Sequence, residues 1–137
     1  MRTQLIMNSL FFALGTKDAE WYYHTYLINW TQCHFKSITL ESGWFVGDED
    51  GVIQTKTVKF ELENIGPLSC TGVDRIDYLE LDMNIWYKIK CEDEKGHITY
   101  YNLSIPKLLP DDELLEIPYN KKKGWVFKLT PVISTPK

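Results

Sequence analysis

The stretch Tyr78-Leu79-Glu80-Leu81-Asp82-Met83-Asn84-Ile85-Trp86-Tyr87-Lys88-Ile89-Lys90-Cys91 decides the fold class. Its odd positions from Leu79 to Cys91 are apolar without interruption, and the even positions between them are polar apart from Trp86. Side chains of an extended chain point alternately to opposite faces, so the pattern predicts one long strand with a buried face and a wet one. The wet face places Trp86 among Glu80, Asp82, Asn84 and Lys88.

Reading outward from it, Glu92-Asp93-Glu94-Lys95-Gly96 predicts a turn into a second strand from His97 to Ile105, which Pro106 ends. Upstream, Thr55 to Glu63 alternates, with Val58, Phe60 and Leu62 inward and Lys59, Glu61 and Glu63 outward; Asn64-Ile65-Gly66-Pro67 breaks it. Phe35 to Glu41 reads as a strand ended by Ser42-Gly43. Trp44-Phe45-Val46 and Val52-Ile53 then flank the turn Gly47-Asp48-Glu49-Asp50-Gly51, which is hairpin grammar. Residues 20–32 are dense in aromatic and β-branched types and read as a strand buried on both faces, with Asp18 as an alternative helix cap. Residues 3–14 fit helical spacing and strand pattern almost equally, with Gly15 closing the segment.

Toward the end, Pro110 to Glu116 suits one or two helical turns, because proline and acids are favoured in a first turn. Asn120 to Gly124 is a basic turn, and Trp125, Phe127 and Leu129 share one face of a last strand. The tail from about residue 131 is expected to fray. No internal repeat or linker divides the chain, so residues 1–137 form a single β-rich domain. The expected fold is mainly β: an antiparallel sandwich, a partly open barrel or a strongly curved sheet, with one or two short helices and an α+β arrangement as the alternative.

A hydrophobic content of 44% with 5 Trp, 8 Tyr and 6 Phe supplies a core without disulfides or metal. Fifteen basic against 19 acidic residues give a net charge of −4. That balance disfavours a duplex DNA binder, whose affinity comes from neutralising phosphates, and suits a basic protein partner. Cys33, Cys70 and Cys91 cannot all pair within the chain, show no CxxC spacing and point to a reducing, cytoplasmic setting. The apolar residues near the N-terminus superficially resemble a short signal peptide but are broken by Asn8 and Ser9. No stretch approaches the roughly 20 apolar residues of a membrane span. Asn29-Trp30-Thr31 and Asn102-Leu103-Ser104 match the glycan acceptor pattern inside strand-like sequence and read as chance matches.

Chemistry-bearing motifs are few. Both acidic turns fail as calcium loops, since Val46 and Cys91 fall where the first ligand would sit. Cys33, His34, His24, Cys70, Cys91 and His97 lack the close ligand pairing of a structural zinc site. Neither a nucleophile elbow nor a phosphate-binding glycine loop occurs, and His24 with Asp18 or His97 with Glu94 are lone pairs of common residues. The expectation is therefore a protein that is not an enzyme and calls for no cofactor or metal. It would be a small acidic binding module of the inhibitor or immunity type, occluding a more basic partner such as a toxin or nuclease. Glu80, Asp82, Asp48, Glu49 and Asp50 would steer that partner, and Trp86 or Trp44 would anchor it. Two alternatives are a small-ligand barrel lined by Trp21, Tyr23, Tyr26, Trp30, Trp125 and Phe127, and a small enzyme with a histidine or carboxylate in a curved-sheet pocket.

Overall fold

The computed structural model describes residues 9–48, 51–77, 84–105 and 111–132. Its strands are β1 (Ser9–Gly15), β2 (Tyr22–Trp30), β3 (Phe35–Asp48), β4 (Gly51–Ile65), β5 (Ser69–Asp77), β6 (Asn84–Asp93), β7 (Ile98–Ile105), β8 (Leu115–Glu116), β9 (Lys123–Lys128) and β10 (Thr130–Pro131). They build two antiparallel sheets, sheet A in the order β5-β2-β1-β9-β8 and sheet B in the order β10-β7-β6-β3-β4. The sheets pack as a sandwich, with no closed barrel.

The alternation that predicts β6 is what builds the core. Ile85, Tyr87, Ile89 and Cys91 face sheet A and are almost fully buried, joined by Ile38 and Leu40 of β3 and Ile105 of β7. Opposite them stand Leu10, Phe12 and Leu14 of β1, Leu27 of β2, Ile76 of β5 and Trp125 of β9. The rings of Phe12 and Tyr87 meet across the layers at 4.5 Å. Each such side chain removed from water contributes about 1.5–3 kcal/mol, which makes this face the main source of stability.

Strand β1 is central in sheet A and buried on both sides. Phe11 and Ala13 point away from the sandwich core into a second cluster with Ile28 and Ile117, closed by Tyr26, Trp30, Cys70 and Val126. Double burial erases the period-two signal and leaves a continuous apolar run, so helix and strand look alike there. The structure resolves the choice as strand over Ser9–Gly15, and residues 3–8 lie outside the described residues. The 117–122 loop between β8 and β9 supplies the cover, with Tyr119 edge-on to Trp30. Its close approach depends on Gly124, where a Cβ would collide with the Leu14 carbonyl oxygen and press to 2.9 Å on Ile117.

Other boundaries differ from the sequence reading. Ser42-Gly43 does not end a strand; β3 runs unbroken to Asp48, paired to β4 and β6, while β4 takes up one extra residue, Thr55, opposite the Trp44–Phe45 step. Strand β5 has no alternation to announce it, because Ser69, Gly72, Asp74 and Asp77 are poor strand formers. It is held as an edge by pairing with β2, and buried Thr25 steadies the irregular register there: its Oγ1 donates to Asp74 O (3.1 Å) and accepts from Asp74 N (2.9 Å). The acidic segment yields one 3-10 turn, Asp111–Glu113. Thr130–Pro131 is not frayed but pairs with Asn102 and Tyr101.

Asn29 is wholly buried and ties two crossovers together. Its Nδ2 donates to Cys33 O and Gly66 O, both at 2.9 Å, while Oδ1 accepts from Thr31 N (3.2 Å) and Thr31 Oγ1 (2.6 Å). With its amide used this way, Asn29 is closed to a glycan. Asp18 caps a turn rather than a helix, its Oδ1 accepting from Glu20 N and Tyr22 N, while Trp21 takes a positive φ of 69°. Asp93 repeats the device at the β6–β7 turn, accepting from Lys95 N and His97 N around Gly96 at φ 83°.

Candidate functional site

The face of sheet B turned away from the core is open, and strand pairing decides which of its residues stand side by side. One row reads Asn102, Lys88, Glu41, Lys59 across β7, β6, β3 and β4; the next reads Tyr100, Lys90, Thr39, Glu61. Beyond the first row lie Ser104, Trp86, Gly43 and Thr57. Trp86 is half-buried, stands beside the small residues Ser104 and Gly43, and carries the Lys88 ammonium 5.4 Å from its ring centre. Toward the β6–β7 turn the face becomes acidic, with Ile98, Glu92, Ser37 and Glu63 in register.

The first two rows form an open groove of about 440 Å³, lined by Thr39, Glu41, Lys59, Lys88, Lys90 and Asn102, and closed on one flank by Tyr100 and Val132. Lys59, Lys88 and Lys90 are exposed, and none of them forms an ion pair among the described residues. The flank is apolar and accessible: Ile98, Tyr100 and Val132 are 46%, 51% and 43% exposed. Val132 N donates to Tyr100 O at 2.7 Å, which holds residues 130–132 against β7.

No family model matches the chain, and no curated protein matches it either.

Among the residues singled out from sequence, Trp86 lies on the open face as expected. Glu80, Asp82, Glu49 and Asp50 fall outside the described residues. Asp48 pairs with Gly51 to close the β3–β4 hairpin, and Trp44 pairs with Lys56 and Ile85, one register step from the Gly43–Trp86 pair. Lys59, Lys90, Tyr100, Asn102, Thr39 and Glu41 are the residues that sequence reasoning did not bring together. Their outward placement was readable for Lys59 and Lys90 alone, and register made them neighbours.

The aromatics expected to line one cavity divide among three environments. Tyr23, Trp125 and Phe127 pack on the sandwich core, Tyr26 and Trp30 on the opposite face of sheet A, and Trp21 is exposed. Each histidine meets one carboxylate at a turn. His24 Nε2 lies 2.8 Å from Asp18 Oδ2, and His97 Nδ1 lies 3.4 Å from Asp93 Oδ2 rather than on Glu94. Glu94 instead approaches His34 Nδ1 at 2.8 Å, outside hydrogen-bonding geometry. None of these carboxylates is buried. The Tyr22 N–H, with the His24 ring, holds Asp18 below the usual carboxylate range, and the His97 N–H does the same for Asp93. These are turn-stabilising pairs. Among the described residues no three of His, Cys, Asp and Glu gather as a metal site, and no helix is long and apolar enough to cross a membrane.

The three thiols are free. Burial pushes the Cys91 thiol up to about 12, and raises Cys70 and the Tyr101 hydroxyl as well. Cys91 thus serves as a small hydrophobe rather than a nucleophile.

Proposed function

We propose that this protein is a stoichiometric binding module of the inhibitor or immunity type, and that it occludes a macromolecular partner with the open face of sheet B. The observation that carries the reading is the half-buried Trp86, flanked by small neighbours and by a groove whose lysines form no ion pair among the described residues. An indole beside exposed aromatic and charged groups supplies anchoring area at low entropic cost, the composition of an interface centre. The net charge of −4 steers a more basic partner over distances of about a Debye length, while the lysine groove meets a local acidic element once contact is made. The partner is thus a protein with a basic overall field and a carboxylate-bearing patch at the contact, and the complex forms in the cytoplasm.

The test uses wild-type protein and Trp86→Ala as parallel baits in extract of the source organism, followed by titration of the captured protein after purification. A single basic protein that binds wild type and loses about tenfold or more with Trp86→Ala supports the reading, since interface anchors cost about 2 kcal/mol on truncation. Equal affinity for both baits overturns it.

A further inference from the structure

We infer that the groove between β7, β6, β3 and β4 is a subsite for an extended acidic segment whose alternate residues are carboxylates. The inference deepens the proposed occlusion and rests on it for its biological setting, but its chemistry stands on the groove alone. Lys88 and Lys90 lie on one face of β6 and two residues apart, which sets them roughly 6.8 Å apart along the strand. A segment laid along β6 in extended form repeats its own same-face side chains at that spacing. A Glu-x-Glu unit therefore places one carboxylate over each lysine. Lys59, two strands away in the Lys88 row, reaches in from the far side.

Glu41 sits between Lys59 and Lys88 in that row, and Glu61 ends the Lys90 row on β4, so the two rows together keep an excess of one positive charge. What remains favours an anion but does not trap it, consistent with reversible docking. Asn102 at the β7 end of the first row and Thr39 beside Lys90 in the second add uncharged hydrogen-bonding groups. The exposed Tyr100 and Val132 form an apolar kerb beside Lys90, which suits an aliphatic or aromatic residue next to the carboxylates. The groove is open along its length and encloses too little of a small free ligand. An extended peptide fits its shape better, because it gains contact from several side chains at once.

The test is fluorescence anisotropy with a labelled, capped peptide of alternating glutamate and serine. Controls are a lysine–serine peptide of equal length and a peptide with the same glutamates in one block. The proteins are wild type, Lys88→Gln/Lys90→Gln and Lys95→Gln, the last in the exposed β6–β7 turn. Glutamine keeps the stems and avoids setting a second acid against Glu41; circular dichroism confirms that each variant folds. The inference expects the alternating peptide to bind wild type and Lys95→Gln alike, and to lose about tenfold with the double variant, the sum of two exposed charge pairs. Weaker binding of the blocked peptide, and of all peptides at about 500 mM salt, is also expected. Equal binding of the lysine–serine peptide, no binding of the alternating peptide, or indifference to the double variant overturns it. Such a result leaves the occlusion reading to its own test, since the Trp86→Ala titration does not involve this peptide.

Discussion

Replacing Asn29 by alanine removes a side chain whose four hydrogen bonds join the β2–β3 and β4–β5 crossovers. The loss is partly cushioned. Gly66 O keeps the Ser69 hydroxyl at 2.7 Å, and Thr31 Oγ1 keeps the Cys33 N–H at 3.0 Å. Cys33 O and Thr31 N are left without their partner, and each such group costs about 1–3 kcal/mol. A destabilisation of about 3 kcal/mol follows, with a fall in melting temperature of about 10 °C for a domain of this size. Asn29→Asp is the sharper variant. It keeps the shape but turns a carboxylate oxygen toward two carbonyl oxygens, so folding raises the aspartate pKa above its unfolded value. The folded state then binds the extra proton more readily, so stability is fully present below the unfolded pKa and is lost as pH rises from there through the folded pKa. Urea unfolding should show Asn29→Asp at least as damaged as Asn29→Ala at pH 7 and recovering toward about pH 4. An Asn29→Asp protein as stable as wild type at neutral pH would refute the reasoning.

Gly124→Ala should lose about 3 kcal/mol or more, because the new Cβ meets backbone that cannot move aside, whereas Gly72→Ala, with open space around it, should change little. Thermal melts of the two proteins check this, and equal melting temperatures would contradict the close packing of β1 on β9. Thiol labelling mapped by mass spectrometry should find exposed Cys33 first, Cys70 more slowly, and Cys91 only after unfolding. Labelling of Cys91 in the native protein would deny its burial. Asp18 and Asp93 have folded pKa values held below the unfolded value, so their stabilisation is present above about pH 4 and lost as pH falls through the folded values. Asp18→Asn and Asp93→Asn should each flatten the acid limb of a melting-temperature profile; unchanged limbs would remove the turns as its source.

What could be read from sequence follows which strands bury a single face. From Ile85 to Cys91 and Val58 to Glu63, one face meets the core and the other is more open to water, so a period of two survives in the residues; in β9 Val126 joins the second cluster, yet Trp125, Phe127 and Leu129 still mark one face. Strand β1 lost that signal through burial on both sides. Strand β5 never carried it, since its pairing with β2 outweighs its weak propensity. The passage of β3 through Ser42-Gly43 depends on partners on both flanks, which local turn chemistry does not report. The site was half legible for a similar reason. Alternation alone places Trp86, Lys88 and Lys90 on one face, but only the register of four strands sets Lys59, Glu41 and Tyr100 beside them. The expectation of an acidic face rested on Glu80 and Asp82, while the described part of that face is rich in lysine around the groove.

Oxidative footprinting of the complex with its captured partner tests the central claim most directly, because the molecule contains its own controls. Tyr100, Trp21 and Tyr119 are about equally accessible, at 51%, 51% and 53%, yet only Tyr100 belongs to the open face of sheet B. The account predicts that partner binding protects Tyr100 and Trp86 and leaves Trp21 and Tyr119 as reactive as before. Protection of Trp21 or Tyr119 with Tyr100 still fully oxidised would place the working surface elsewhere.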